Sequence, residues 1–162
     1  MQPILPLPPP PAPPPPPLPV APAVVSTNWS FAVGSAGCVA QATGATGGFW
    51  VAVQTDGTVN FTVSGGANDG RLLRVGSEVP VSFNGPAGSW TVPGQVQGGA
   101  KLQKIRASVA GGDEALSMVL AVLGGGSAKA GDALLAQPDI EIPPAGDAGS
   151  RWFACARNRE HA

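Results

Sequence analysis

The sequence predicts a mainly β (α+β) fold: an antiparallel meander or sandwich-like β domain with one to three short helices in its C-terminal half, preceded by a disordered proline-rich arm. Three observations predict this class. Thirteen of the 19 prolines lie in residues 1–22, apolar and polar residues alternate on both sides of an Asp-Gly pair, and helix start and stop signals occur in the second half. We therefore assign residues 1–26 to the arm and residues 27–162 to a single β-rich globular domain.

The arm contains "PILPLPPPPAPPPPPLPVAP" (residues 3–22). Because proline fixes φ near −65° and donates no N–H, this stretch is expected to form neither a helix nor a sheet ladder. A polyproline II segment rises about 3.1 Å per residue, so twenty residues reach roughly 60 Å. We expect a stalk, with docking of the arm onto another envelope protein as the alternative.

The clearest strand signal is "FWVAVQTDGTVNFTVSGG" (residues 49–66), where alternating residues flank Asp56-Gly57. A two-residue loop would mix apolar and polar residues on each face of the hairpin. A three-residue loop over residues 55–57, with Gly57 in the left-handed region as a G1 bulge, gives one apolar and one mostly polar face. We therefore predict the bulged register, which places Phe49, Val51 and Val53 beside Val59, Phe61 and Val63.

Two neighbouring segments complete the predicted meander. "NWSFAVGSAGCVAQATG" (residues 28–44) is expected to form an opening pair of strands before the hairpin. "RLLRVGSEVPVSFNG" (residues 71–85) is expected to give two more short strands. Pro80 in the second of these predicts an edge strand or a bulge, because proline cannot donate to a sheet ladder.

The second half shows helical signals. Leu102, Ile105 and Val109 have the spacing of a helix face, and Asp113-Glu114 precede "ALSMVLAVL" (residues 115–123), which Gly124 follows. A helix is favoured over residues 113–123, with a buried strand as the alternative. A last helix is predicted after Pro143-Pro144, with three residues facing inward: Trp152, Cys155 and Ala156.

Cys38 and Cys155 lie near opposite ends of the predicted domain. A disulfide between them would close a loop of more than a hundred residues and stabilise the fold by about 4–5 kcal/mol in the loop-entropy model. The alternative is two unrelated buried thiols. We expect the bridge, and with it an exported or periplasmic protein, a cytoplasmic location being the alternative. Residues 1–22 lack the basic and helical regions of a signal peptide, so export would require a signal upstream of this sequence.

Composition excludes several function classes. Charged residues make up 12% of the chain and the formal net charge is −1, so we expect no nucleic-acid partner. No apolar run approaches the ~20 residues of a bilayer span, so we expect no membrane insertion. The single histidine is His161, beside the C-terminus, and no Cys-x-x-Cys pair is present. We therefore predict no catalytic residues, no metal site and no cofactor.

Four polar motifs receive structural rather than functional interpretations. Ser127 and Lys129 in "GGGSAKAGD" (residues 124–132) could form a serine-lysine pair, but a polar turn in a glycine-rich loop is favoured. Asp139 and Glu141 share one strand face and are expected at a solvated edge. Asn28 and Asn60 each match the glycosylation acceptor pattern, which is common by chance.

The order of these segments resembles the invasion-associated locus B proteins, small β-rich proteins of the proteobacterial cell envelope. The resemblance covers about residues 28–159 and depends on Trp29, Cys38 and the strand spacing in "NWSFAVGSAGCVAQ" and "LLRVGSEVPVSFNGPAG". It implies a β-rich fold and an envelope location, and it supplies no catalytic residues. This chain lacks the close mid-chain cysteine pair of that family, so the resemblance does not extend to the disulfide arrangement.

We therefore expect a non-catalytic, envelope-associated structural or interaction domain on a proline-rich stalk. The first alternative is a domain that binds a small apolar ligand. Four tryptophans could line its pocket, although core packing is the expected use of each: Trp29, Trp50, Trp90 and Trp152. The second alternative is a hydrolase that uses Ser127 and Lys129.

Overall fold

The computed structural model describes residues 3–4, 6, 8–14, 24–44, 47–65, 74–97, 103–131 and 139–160. These residues contain ten strands and two helices. The strands are β1 (Val24–Ser26), β2 (Asn28–Gly34), β3 (Gly37–Thr43), β4 (Gly47–Gln54), β5 (Val59–Gly65), β6 (Glu78–Gly85), β7 (Gly88–Gln97), β8 (Gln103–Val109), β9 (Gly126–Ala130) and β10 (Asp139–Ile142). The helices are α1 (Asp113–Leu123) and α2 (Gly146–Glu160).

All ten strands belong to one sheet, in the order β1-β10-β9-β6-β7-β8-β5-β4-β3-β2. Every neighbouring pair is antiparallel except β1 and β10, which run parallel. The two edge strands, β1 and β2, are separated in the chain by Thr27 alone. The sheet must therefore curl until its two edges approach each other. The predicted fold class, mainly antiparallel β with short helices in the C-terminal half, is confirmed.

The bulged register of the β4–β5 hairpin is also confirmed. Phe49, Val51 and Val53 lie opposite Val63, Phe61 and Val59. The Gln54 amide donates to the Thr58 carbonyl at 2.9 Å, and Gly57 has a φ of 89°. The Thr58 amide donates to Asp56 Oδ1, and this hydrogen bond lowers the pKa of the Asp56 carboxyl.

The inner face of the curled sheet forms the hydrophobic core. Alternate residues of its central strands are fully buried, among them Phe49, Phe61, Phe83 and Ile105. The half-buried Trp90 joins the aromatic part of this core, with its ring centroid 4.6 Å from that of Phe61 and 5.9 Å from that of Phe83. Each fully buried side chain of this size contributes about 1.5–3 kcal/mol. The period-two alternation therefore supplies most of the apolar burial.

The two helices cover the open side of the curled sheet. α1 contacts β6 and β7, α2 contacts β2, β3 and β4, and the helices contact each other. α1 begins with Asp113 and Glu114 and is followed by Gly124, as predicted. α2 follows Pro143-Pro144 and buries Trp152 and Ala156. Both predicted helices are confirmed.

The predicted helix face at residues 102–109 is wrong, because residues 103–109 form strand β8. Ile105 and Ala107 are buried, whereas Lys104 and Arg106, which alternate with them along the strand, are exposed. This is the alternation of a strand with one face on the core. Leu102, the first residue of the proposed helix face, lies outside the described residues.

The predicted glycine-rich loop at residues 124–132 is also wrong, because it contains strand β9. Ala128 and Ala130 are fully buried, and β9 pairs with β6 on one side and β10 on the other. β10 is the next strand in the chain, whereas β6 is remote in sequence. The place of β9 in the sheet is therefore set in part by a distant segment, which a composition rich in glycine does not reveal.

Pro80 does not place β6 at an edge, since β6 lies between β7 and β9. The Pro80 carbonyl accepts from the Gly131 amide at 2.9 Å, which shows that its backbone polar groups point toward β9. Opposite Pro80 on β7 lies Pro93. The missing N–H therefore removes one hydrogen bond at the end of the β6–β9 pairing and none from the ladder with β7. Of the other short strand predicted there, residues 71–73 lie outside the described residues, and Val75 and Gly76 form a turn.

The last three residues assigned to the arm belong to the sheet. The other described residues of the arm, 3–4, 6 and 8–14, are exposed and belong to no helix or strand. Residues 24–26, however, form β1 and pair with residues 139–141 of β10. These three residues make backbone hydrogen bonds that the preceding prolines cannot supply. The folded domain therefore includes Val24.

The predicted disulfide between Cys38 and Cys155 is present, with a Cα–Cα distance of 6.2 Å. It joins β3 to α2 across 117 positions of sequence. Cys38 is fully buried on the inner face of the sheet. Two further contacts join α2 to β2: Phe31 packs against Trp152, and Arg159 donates to the Gly34 carbonyl at 3.1 Å. α2 is therefore fixed to the β2–β3 hairpin along its length.

Two truncations test the arm boundary. Removal of residues 1–23 is expected to leave the melting temperature of the domain unchanged within about 2 °C, because it removes no strand. Removal of residues 1–26 also deletes β1 and should lower the melting temperature by about 5 °C or more. Thermal unfolding followed by circular dichroism measures both. Equal melting temperatures for the two truncated chains would contradict the boundary.

Reduction tests the disulfide. We expect a reducing agent to lower the free energy of unfolding by about 4–5 kcal/mol, because the opened loop regains conformational entropy in the unfolded chain. Urea denaturation with and without reductant measures this change. A C38S/C155S double variant is the control and should not respond to the reductant. Reaction of both thiols with a maleimide in the native, unreduced protein would exclude the bridge.

Candidate binding surface on the outer face of the sheet

The side chains that alternate with the core residues form an unusual row on the outer face of the sheet. Six residues on six neighbouring strands lie directly opposite one another in the register. In strand order they are Gln41, Trp50, Thr62, Arg106, Gln95 and Glu78, and we call them the outer row. Neighbouring strands lie about 4.8 Å apart, so the outer row is about 24 Å long. It crosses the strands as a continuous line of one aromatic, three neutral polar and two charged groups.

Trp50 is held in place within this row. Its Nε1–H donates to Gln41 Oε1 at 2.8 Å, and Gln41 lies directly opposite it on β3. The Trp50 side chain is half-buried. Because the indole N–H is already bonded within the sheet, the apolar ring is what remains for contact with another molecule.

Two adjoining depressions follow the outer row, and together we call them the outer groove. Trp50 and Lys104 line the first, which has a volume of about 360 Å³. Glu78 and Gln95 line the second, which has a volume of about 350 Å³. Arg106 and Gln97 line both. The outer groove is therefore one elongated surface depression with Arg106 at its middle.

The charges of the outer groove are unevenly distributed. Lys104 and Arg106 are both exposed and lie two residues apart on β8, which places their side chains on the same face. Within the described part of the chain, neither cation pairs with a carboxylate. Glu78 lies at the far end, with Gln95 between it and Arg106 in the register. The part of the groove nearer Trp50 therefore carries two cations that are available to an anion.

The floor of the outer groove is rigid and polar. Asn60 is only 4% exposed, although it points to the outer face, and it accepts a hydrogen bond from Ser108 Oγ at 2.6 Å. This burial makes Asn60 an inaccessible glycosylation acceptor in the folded domain. The other acceptor, Asn28, is exposed at the start of β2. A satisfied polar floor of this kind fixes the positions of the side chains around it.

The four tryptophans do not line one pocket. Trp90 lies in the aromatic core, where its Nε1–H donates to the Met118 carbonyl at 3.2 Å. Trp29 and Trp152 lie where the edges of the sheet meet, on either side of Phe31, with ring centroids 5.4 Å and 6.0 Å from it. Trp152 is 3% exposed, and its Nε1–H has no partner among the described residues. Trp50 alone of the four lies on the outer face.

The remaining predicted motifs lie apart from the outer groove. Ser127 and Lys129 point to the outer side of β9, and Lys129 is exposed. Asp139 and Glu141 lie on one face of β10, as predicted, with Glu141 directly opposite Ser127. His161 lies outside the described residues. Across the described ranges, no three side chains of the His, Cys, Asp or Glu type are grouped to hold a metal ion. Neither described helix is long and apolar enough to cross a membrane.

The sequence indicates Trp50 as a candidate but not its neighbours in the outer row. The hairpin register already implies that Trp50 and Thr62 share the polar face. A helix face over residues 102–109 does not predict that Arg106 and Lys104 join them. The signal that would have identified them is the alternation of buried Ile105 and Ala107 with these two cations.

No protein-family profile, curated protein or solved structure matches this chain. The resemblance to the invasion-associated locus B proteins therefore stays a prediction from the residues that suggested it. The function of the chain has to be inferred from the geometry of its described residues.

Proposed function

We propose that this chain is a non-catalytic binding domain of an exported protein, which contacts a component of the cell envelope through the outer groove. The observation that carries the proposal is the outer row, where a half-buried Trp50, held by Gln41, lies two strands from an exposed Arg106 that has no carboxylate partner among the described residues. Binding sites typically combine an apolar contact surface with a few fixed polar groups in a depression. The outer groove has this composition.

The disulfide supports the exported location. The bridge between Cys38 and Cys155 joins two elements that are remote in sequence. Disulfides of this structural kind persist in the periplasm and outside the cell, where thiols are not kept reduced. The periplasm or the cell surface is therefore the proposed compartment, in agreement with the envelope resemblance.

The placement of Ser127 and Lys129 supports a non-catalytic role. A lysine that activates a serine is normally desolvated in an apolar site, whereas Lys129 is exposed on a strand. Ser127 lies opposite Asn84 and Glu141 on the neighbouring strands. Neither residue lines the outer groove.

The proline-rich arm fits a binding domain as a spacer. Its described residues are exposed, and Ile4 is 96% exposed. A polyproline II segment keeps a domain at a distance from its point of attachment at low entropic cost. The arm also offers a second contact with another envelope protein, since polyproline II segments dock onto aromatic grooves.

The small apolar ligand remains the alternative function, and a different site favours it. A cleft of about 660 Å³ lies between α1 and α2 and is lined by Leu120, Leu123 and Phe153. Leu120 is 49% exposed and offers apolar surface to this cleft. Arg157 lies over the Phe153 ring at 5.9 Å. We prefer the outer groove because it combines a fixed aromatic ring with two cations that have no carboxylate partner among the described residues.

Sedimentation with envelope material tests the proposed function. The purified full chain, with its disulfide intact, is mixed with a washed, sedimentable proteobacterial envelope fraction, and the bound protein is measured. We expect the wild-type chain to sediment and a W50A/R106Q variant to lose at least about tenfold in affinity, because it lacks both the ring and the central cation.

K129Q is the matched control, since it removes an exposed cation on β9 that does not line the groove. The single variant R106Q changes an exposed side chain and is therefore expected to fold normally, so a loss of binding in it is not caused by unfolding. The melting temperature of each variant verifies that it is folded. Absence of wild-type binding, or equal binding by wild type and both groove variants, would refute the proposed function.

A further inference from the structure

We propose that the outer groove binds an acidic oligosaccharide that lies across the strands along the outer row, with a carboxylate on Arg106 and a sugar ring on Trp50. This inference rests on the proposed function and specifies its ligand. Three properties of the groove point to this class of molecule: its one aromatic surface, its neutral hydrogen-bonding groups and its two exposed cations.

The aromatic surface suits a sugar ring. A pyranose has an apolar face of C–H groups and a polar rim of hydroxyls. Trp50 offers an apolar ring whose N–H is already bonded to Gln41, so the ring can cover a C–H face without leaving its own donor unsatisfied. Because this hydrogen bond fixes the indole, little side-chain entropy is lost on binding.

The neutral polar groups suit the hydroxyl rim. Thr62 lies beside Trp50 in the outer row, and Gln54 and Gln97 line the same depression. Each hydroxyl or amide side chain can both donate and accept, as a sugar hydroxyl does. Gln95 continues this pattern into the second depression. A purely apolar ligand would leave these groups unpaired on binding.

The cations select an acidic sugar over a neutral one. Arg106 and Lys104 lie on one face of β8 and have no carboxylate partner among the described residues. A guanidinium binds a carboxylate through two parallel hydrogen bonds, which fixes its orientation as well as its position. Glu78 carries the opposite charge at the β6 end. The acidic groups of the ligand are therefore placed over β8, and its neutral part extends toward Glu78.

The length of the groove favours an oligomer over a single sugar. From Trp50 on β4 to Glu78 on β6 the outer row crosses four strand spacings, or about 19 Å. This distance accommodates several linked sugar units. Single-stranded nucleic acid also stacks on aromatic rings, but it needs more than one stacking platform and a longer line of cations. The groove offers one aromatic residue and two cations, and the negative charge of Glu78 partly offsets these two positive charges.

Calorimetric titration of the full, disulfide-intact chain tests the ligand class. The probes are tetragalacturonate, an alginate tetramer of mannuronate, the methyl ester of tetragalacturonate and a thymidine oligonucleotide. The methyl ester is the matched neutral probe, because it has the same sugar ring without the negative charge. We expect at least one of the two acidic tetramers to bind. If tetragalacturonate binds, its methyl ester should bind at least tenfold more weakly.

The variants separate the two parts of the site. R106Q should weaken binding of the acidic tetramer at least tenfold, W50A should abolish binding of all saccharides, and K129Q should bind as the wild type does. Binding of the acidic tetramer should also weaken as salt is added. Failure of both acidic tetramers to bind, equal binding of acid and ester, or tighter binding of the oligonucleotide would overturn the inference.

The outcomes also distinguish this inference from the proposed function. If the chain sediments with envelope material in a groove-dependent way but binds neither acidic tetramer, the proposed function stands and the ligand assignment is wrong. If it binds an acidic tetramer through Arg106 but does not sediment with envelope material, the ligand assignment stands and the envelope role is wrong.

Discussion

The structure depends on one constraint at Thr27: the two strands on either side of this residue are the opposite edges of the same ten-stranded sheet. The sheet can satisfy this only by curling until β10 and β2 are close. Side chains complete the contact there. Thr27 Oγ1 donates to the Glu141 carbonyl at 2.6 Å, and Trp29 Nε1 donates to the Pro143 carbonyl. These two bonds connect one edge of the sheet to the other where the backbone ladder is interrupted.

The curling of the sheet determines which of its faces is buried and which is open to solvent. The inner face encloses the aromatic core and is covered by α1 and α2, so it is filled by the protein itself. The disulfide and the Arg159 contact with Gly34 fix α2 over this opening. The outer face is left to solvent, and its polar residues are brought into line by the same registers that align the core. The outer groove is therefore a consequence of the closed sheet rather than of a separate loop or insertion.

Local sequence signals predicted the local parts of this fold. The β4–β5 register followed from the alternation around Asp56-Gly57, and α1 followed from its acidic start and glycine stop. The failures concern β8, β9 and the position of β6, each of which has one neighbouring strand that is remote in sequence. The apolar residues around Ile105 are spaced by three and four positions, which is compatible with a helix. The segment forms a strand because it pairs with β5 and β7 on its two sides. The candidate site shares this limit, because Arg106 is brought into the same row as Trp50 only through the pairing of β5 with β8.

The most direct test of the account is the stability of a T27V/W29F double variant, which removes the two closing hydrogen bonds while T27V keeps the side-chain shape and W29F keeps an aromatic ring beside Phe31. Loss of both should cost about 2 kcal/mol and lower the melting temperature by about 5–10 °C, because the Glu141 and Pro143 carbonyls lose their partners. In the double variant, hydrogen exchange of the backbone amides should become faster than in the wild type, and more so in β1 and β10 than in β4 and β5. W50F, which removes a comparable indole bond on the outer face, is the control and should change stability little. A double variant that melts within 1 °C of the wild type, with unchanged exchange in β10, would contradict the central role of closure at Thr27.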